Sequence, residues 1–390
     1  MTDASKTQLI ESHQISRRHR FYAECDRLTY LSKNLWNATN YAVRQHLFST
    51  GEYLNYNQVN LRFTHENQAD YRALPAKVAK GTQRLLDKSY RSFFKKSGFR
   101  HIPGYLHKTH GRQLVHYERG ALSFRQSGFI KLSKTNILIK SDKQADFVRI
   151  VPHLDYFTIE IGYTVANPAP SETTGNVASI DFGMKNFATI TSNVSAPIII
   201  NGLPIRSINS YAKRLIEQHR QYTHGSSHLT RSIYRKRHNK LKDYYHKSSR
   251  FVVDWLVDNQ ITSVVIGRNL GWKQGNYVRE FQQTAYNTFT DMLTYKCHLV
   301  GIDVILQEES YTSKASFKAL DNIPTYGDNV TIAFSGKRIK RGLYKNADNT
   351  VTNADVNGSL NILRKSPLWH DDMYAQCLPH SIEPIIRYNF

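Results

Sequence analysis

Two acids stand where chemistry could occur. Asp181 lies in Ala178-Ser179-Ile180-Asp181-Phe182-Gly183, at the end of an apolar, β-forming run. A carboxylate among such neighbours is expensive to bury unless it is paired or bound to a cation. Gly183 lets the chain turn at once and leaves the acid at the strand's edge. An Asp before a hairpin turn is also an ordinary turn residue, so Asp181 alone does not make a site. Asp355 is the second acid, in Asn353-Ala354-Asp355-Val356-Asn357-Gly358-Ser359-Leu360. By itself it reads equally as an acid near a helix start, interacting with the helix dipole. Two carboxylates brought together from such distant stretches can hold Mg²⁺, which prefers oxygen ligands and keeps several waters.

The elements around these acids must bring them together. A strand over 177–182 turns through Gly183-Met184-Lys185 into a strand at 187–190, and another turn leads to Ile198-Ile199-Ile200. Two long polar helices follow, split by Gly225-Ser226-Ser227. Then come a buried strand at 263–267, a helix bearing Phe281, Ala285, Phe289, Met292 and Leu293, and a strand at 302–306. A last helix starts near Asp355 and carries Val356, Leu360 and Leu363. The order βββ-α-β-α-β-α is that of an RNase H-like sheet, in which the last helix returns a carboxylate to the first strand. Ahead of it, residues 1–25 are polar, with a basic arm from Gln14 to Arg20. Residues 26–100 read as helices, with Leu28, Leu31, Leu35, Ala38 and Ala42 at helical spacing. Residues 101–165 read as a small all-β unit, and 166–176 as a Pro/Ser/Thr/Gly linker.

Composition points to a polyanion. The 390 residues carry 53 Lys and Arg against 31 Asp and Glu, a formal charge of +22. A charge that large opposes compaction unless nucleic acid or another polyanion balances it. The 24 Tyr and 18 Phe, many in basic stretches, could stack on bases. The helices between Ser207 and Arg250 carry Lys213, Arg214, Arg231, Arg235, Lys236 and Arg237, with Glu217 and Asp243 as their only acids. Three cysteines without a CxxC pair exclude a four-cysteine zinc site and fit a reducing cytosol. The start of the chain has no apolar signal region, and no run approaches a membrane span.

Several ordered motifs then make a resemblance specific. Leu74-Pro75-Ala76-Lys77-Val78, the block from Gly183 to Thr189, and Val265-Ile266-Gly267-Arg268-Asn269 with Trp272-Lys273-Gln274 form its first part. Glu309-Ser310-Tyr311-Thr312-Ser313-Lys314, Phe334-Ser335-Gly336-Lys337-Arg338, Arg341-Gly342-Leu343-Tyr344 and Asn353 to Lys365 complete it. The chain resembles the TnpB (OrfB) proteins of bacterial insertion sequences, relatives of the type V CRISPR effectors. The resemblance spans most of the chain and leaves out the tail at 366–390. It implies an α+β multidomain protein: a β-barrel-like wedge domain (1–25 and 101–165) with a helical recognition insert (26–100), then an RNase H-like (RuvC) α/β nuclease domain (177–365). It implies an RNA-guided DNA endonuclease that cleaves beside a short transposon-adjacent motif with two Mg²⁺ ions, Mn²⁺ being an alternative. Its partners would be a guide RNA and double-stranded DNA, one protein monomer per guide, in the cytoplasm or nucleoid. Arg17, Arg18, Arg20, Lys77 and the basic residues of the two long helices would meet nucleic acid.

Two departures change the site. Most of the family place a middle catalytic Glu directly after the fourth strand, where this chain has Gly267-Arg268-Asn269. The parallel fifth strand ends in Glu308-Glu309 at the same sheet edge, about 4.8 Å away. Alternation sends these two to opposite faces. Glu309 is the expected third ligand, with Glu308 in reserve; an exposed acidic strand end is the plainer reading. The usual zinc ribbon is also missing, so no zinc is expected. In its place 315–352 carries a basic turn with Lys337, Arg338, Lys340 and Arg341, suited to substrate phosphates or simply solvated. Three rivals stay open: a nuclease-dead RNA-guided repressor, an RNase H-fold transposase or recombinase, and a general RNase H-type hydrolase.

Overall fold

A computed structural model describes residues 5–95, 101–169, 175–220, 227–268, 285–328 and 333–390. The Gly225-Ser226 break, Asn269, the Trp272-Lys273-Gln274 motif and Phe281 lie outside them. The chain divides into two compact units, one over 8–165 and one over 1–7 with 166–390.

The first unit opens on strand β1 (Lys6–Ile15), so the expected basic arm is a strand followed by a turn that exposes Arg17, Arg18 and Arg20. Helix α1 (Tyr22–Thr50) starts four residues earlier than expected and ends where Gly51, at φ +75°, donates its N–H to Leu47 O. Only a residue at ease in the left-handed region closes a helix this way. Leu28, Leu35 and Ala42 bury the predicted face. Helices α2 (Tyr56–His65), α3 (Ala69–Arg72) and α4 (Ala76–Phe94) follow. Pro75 precedes the first residue of α4, where its missing N–H costs nothing. The strands are β2 (Val115–Glu118), β3 (Leu122–Ser123), β4 (Phe129–Leu132), β5 (Leu138–Lys140), β6 (Phe147–Pro152) and β7 (Phe157–Ala166). They form two sheets rather than one, in the orders β1-β7-β6-β2 and β3-β4-β5. Polar side chains of α1 strap the segment after the helices: Lys33 Nζ donates to Lys108 O (2.6 Å) and Asn37 Nδ2 to Leu106 O (2.9 Å).

The second unit is built on one sheet. Its strands β8 (Val177–Phe182), β9 (Asn186–Ser192) and β10 (Ile198–Asn201) make the antiparallel meander. Helices α5 (Leu203–Arg220) and α6 (His228–Asp258) lead to β11 (Ser263–Arg268). Helix α7 (Tyr286–His298) leads to β12 (Asp303–Glu308), and both β11 and β12 run parallel to their neighbours. A three-stranded sheet of β13 (Lys337–Lys340), β14 (Leu343–Lys345) and β15 (Val351–Asn353) replaces the expected basic loop and runs straight into helix α8 (Ala354–Lys365). The tail is not a loose end: α9 (Asp372–His380) and β16 (Ile386–Tyr388) follow, and β16 pairs with β10. The main sheet therefore reads β12-β11-β8-β9-β10-β16.

Alternation divides the side chains between two faces. Ala178, Ile180, Phe182, Ala188, Ile190, Val264 and Ile266 pack on one face with Tyr244, Tyr245, Phe289 and Leu293 of α6 and α7. Val177 and Val265 face the other way, onto Val356, Leu360 and Leu363 of α8. On that second face Ser359 knits helix to sheet. Its Oγ donates to Ser179 O (3.0 Å) and lies 2.9 Å from Thr191 Oγ1, while Ser179 Oγ donates to Ser359 O (2.7 Å). No described helix is long and apolar enough to cross a membrane.

Two tests follow from this packing. Ser359→Ala strands buried hydroxyls and should cost about 1–3 kcal/mol, read as a lower denaturant midpoint; an unchanged midpoint would show that the network does not hold α8. Lys296 on α7 donates to His246 O (2.8 Å) and Ser249 Oγ (2.7 Å) of α6. Burial, helped by Arg250, pulls its ammonium from 10.5 down to about 8. Between these values the unfolded chain holds more protons than the folded one, so stability rises with pH across that window. Lys296→Met should abolish this rise, and an identical pH profile in the variant would rule the assignment out.

Candidate functional site

The strand ends place the acids. Asp181 is next to last in β8, with its side chain on the α8 face. A Cβ added at Gly358 would stand 2.8 Å from Asp181 Oδ2, so Gly358 is what lets the helix lie against this carboxylate. Asp355 enters from the first turn of the same helix. Asn353 caps that turn, its Oδ1 accepting from the N–H groups of Asp355 (2.9 Å) and Val356 (3.1 Å), which fixes the direction in which the acid leaves the helix.

Glu309 arrives one residue after β12. Its Oε2 would lie 2.5 Å from a Cβ added at Gly267, with Ile362 Cδ1 at 2.6 Å from the same point. The carboxylate from the fifth strand therefore fills the room that a side chain on the fourth strand would take. Glu308 turns elsewhere. Its Oε1 accepts from Ser310 N (2.7 Å), and Oε2 is bound by the Lys365 ammonium, which also donates to Pro324 O (2.9 Å). Burial raises the Glu308 carboxyl, but the bonds from Lys365 and Ser310 outweigh it and hold the group below its ordinary range. Glu308 is a structural partner, and Glu309 is the acid that joins the other two.

Sequence patterns alone missed the groups that support these acids. Asn186 Nδ2 donates to Asp355 Oδ2 (2.6 Å), and Arg338 Nη2 donates to Asp355 Oδ1 (3.0 Å). Arg338, expected to face substrate, here forms an ion pair with an acid of the site. Asn361 Nδ2 donates to Thr312 O (2.9 Å) and Ala315 O (2.8 Å), and Asn357 Nδ2 to Ala315 O (2.8 Å). These two amides hold the segment after Glu309 against α8. The signal was present in Asn357, Ser359 and Asn361, polar residues that interrupt the apolar face of the helix.

The acids line an open groove of about 1320 Å³ together with Lys185, Lys314, Lys340 and Arg341. Burial, then Glu309 and Asp355, push the Asp181 carboxyl well above its ordinary range, with Arg338 pulling the other way. Three oxygen donors and no soft ligand suit a hard divalent cation such as Mg²⁺. Among the described residues no three such groups, as placed, are close enough to enclose an ion. Asp355 is instead turned to Asn186 and Arg338, a guanidinium supplying the positive charge. The cysteines offer nothing to the site: Cys25, Cys297 and Cys377 are buried and free, and burial pushes each thiol up to about 12.

The other predicted basic residues are spread along the chain. Lys77, Lys213, Arg214 and Lys236 are exposed, as are Lys337, Lys340 and Arg341, and Arg231 and Arg235 are partly covered. Arg237 is spent internally, its Nε donating to Asn209 Oδ1 (2.7 Å) and bracing α6 on α5. Lys213 and Lys247 pair with Glu217 and Asp243, the two acids between Ser207 and Arg250, and Arg250 pairs with Asp254 further along α6.

The OrfB_IS605 family model, described as a probable transposase, matches residues 160–273, and a Cas12f1-like TNB domain model matches residues 286–362. No curated protein sequence matches the chain. Among solved structures, the protein of a Cas12f1–sgRNA–target DNA complex aligns with a TM-score of 0.50 at 12% identity, over 88% of this chain and 82% of that one. The mini-RNA-guided endonuclease CRISPR-Cas_phi3 aligns with a TM-score of 0.42 at 9% identity, over 94% of each chain. The first family match contains Asp181 and Gly267 and the second contains Glu309, Arg338 and Asp355, so the stretch that carries the three acids is similar, in order, to the OrfB_IS605 and Cas12f1-like proteins.

Proposed function

We propose that this protein is an RNA-guided DNA endonuclease, with a RuvC-type nuclease domain in its second half and a wedge-and-recognition assembly in its first. The observation that carries the reading is the seating of Glu309 against Gly267, in the same groove as Asp181 and Asp355. A relocated third acid aimed into the site is what a working nuclease would need, whereas a nuclease-dead repressor would have no use for it. The charge of +22 supports a polyanionic partner. The Cas12f1 complex that shares the fold contains guide RNA and target DNA.

Asp181, Glu309 and Asp355 would hold the divalent cations, and Mg²⁺ bound there would activate water and stabilise the leaving oxygen. The chain's own residues do the positioning. Asn186 orients the Asp355 carboxylate, Asn353 fixes its place at the helix start, and the Ser310–Ala315 segment is clamped to α8 by Asn357 and Asn361. Lys185, Lys314 and Lys340 at the groove attract the DNA backbone. Arg338 forms an ion pair with Asp355, and a scissile phosphate would compete for its guanidinium.

The decisive experiment expresses the gene with its flanking DNA, isolates the RNA that copurifies, reprograms it and measures Mg²⁺-dependent plasmid cleavage. Guided cleavage that is lost in Asp181→Ala, with DNA binding retained, is the expected result. Binding without cleavage by the wild type would favour the repressor, and strand transfer without RNA the recombinase. Glu309→Ala should also abolish cutting, and adding Gly267→Glu with Ile362→Val, which removes the Cδ1 in its way, should recover a measurable part, because the new carboxylate starts from the place Glu309 vacates. Full activity of Glu309→Ala would remove that residue from the site.

A further inference from the structure

The C-terminal strand adds a basic residue to the site face of the sheet. Its position follows from strand register. Asp181 of β8 pairs with Thr189 of β9, Thr189 with Ile199 of β10, and Ile199 with Arg387 of β16. Residues paired across neighbouring strands point to the same face. Asp181, Thr189, Ile199 and Arg387 thus form one row, and the row lies on the α8 face. The packing of the adjacent residue agrees. Tyr388 turns the opposite way, onto Phe251 of α6 at 4.3 Å between ring centroids, and Phe390 adds a contact with the same ring. With Tyr388 anchored on the helical side, Arg387 must emerge on the site side. It does so as a wall residue of the groove that holds the three acids. Asn201 Nδ2 donates to Asn389 Oδ1 (2.6 Å) and secures the end of the strand.

We infer that Arg387 is a substrate-positioning residue that binds a backbone phosphate of the cleaved DNA strand away from the scissile one. This rests on the nuclease reading above. Three strand spacings separate Arg387 from Asp181, about 14 Å. Along a nucleic-acid strand that distance corresponds to roughly two to four nucleotides. Among the described residues no carboxylate pairs with Arg387, which leaves its guanidinium available to a phosphate. The strand lies in the tail, outside the motifs that resemble the TnpB proteins.

The test is guided cleavage of DNA carrying single neutral methylphosphonate linkages, scanned on both sides of the cut. In the wild type, one linkage a few nucleotides from the cut should slow cleavage severalfold. In Arg387→Ala the same linkage should have no further effect, while linkages elsewhere act as before. Arg387→Lys should keep part of the response. The salt dependence of single-strand binding should also fall by roughly 0.7 in log–log slope, the share of one phosphate contact. Tyr388→Ala, which releases the strand's anchor, should reproduce the loss. If Arg387→Ala responds to every linkage as the wild type does, the inference is wrong. If the wild type itself does not cut with guide RNA, the nuclease reading has failed instead.

Discussion

The mutual repulsion of three carboxylates at one sheet edge is the constraint around which the second unit is organised. Asp181, Glu309 and Asp355 come from β8, from the end of β12 and from the start of α8. Bringing like charges together in a partly buried place raises the energy of the ionised state. Burial first, and then Glu309 and Asp355, hold the Asp181 carboxyl well above its ordinary range. The structure meets the repulsion with one guanidinium and one amide, Arg338 and Asn186, both on Asp355. Every other feature near the edge keeps the backbone in place despite the repulsion. Ser359 ties α8 to β8, and Asn361 ties it to the segment after Glu309.

A small three-stranded sheet gives Arg338 its reach. Strands β13 and β14 turn at Gly342, which has φ +88°, and β15 delivers the chain to the cap at Asn353. The same short sheet therefore positions both Asp355 and its counter-charge. Any movement of that sheet would change the electrostatics of the site directly, since an ion pair with part-exposed members is weakened by solvent and by competing anions. Substrate phosphate is such an anion.

Glu309 and Gly267 illustrate how parallel strands exchange a function. Residues paired across β11 and β12 point the same way, and Gly267 is paired with Gln307. Two residues on, Glu309 reaches back over the position where Gly267 has no side chain. A carboxylate can be delivered to one point from either strand, provided that the other strand yields the space. Gly267 yields it, and a side chain there would collide with both Glu309 and Ile362. The glycine is thus a condition of the site and not only an absence.

Much of this was legible in the residues themselves. The alternation from 177 to 200, the buried run at 263–267 and the helical spacing after Asp355 are local patterns, and local hydrophobic period is set by chain geometry. Together with the resemblance they were enough to name Asp181 and Asp355 and to favour Glu309, with Glu308 in reserve. The sequence also excluded a four-cysteine zinc site, because its three cysteines form no CxxC pair. It could not place partners that depend on long-range approach. The Asn186–Asp355 and Arg338–Asp355 bonds, the Lys365 hold on Glu308 and the pairing of β16 with β10 each join segments with no common local pattern. The three-stranded sheet at 337–353 was hidden for a different reason: its first strand is exposed throughout, so no burial alternation marks it. The sequence by itself determined which acids could form a site and on which kind of sheet. Only the tertiary structure decided which of the two adjacent glutamates enters it and which cation balances it, because those choices depend on free space and distance between segments far apart in the chain.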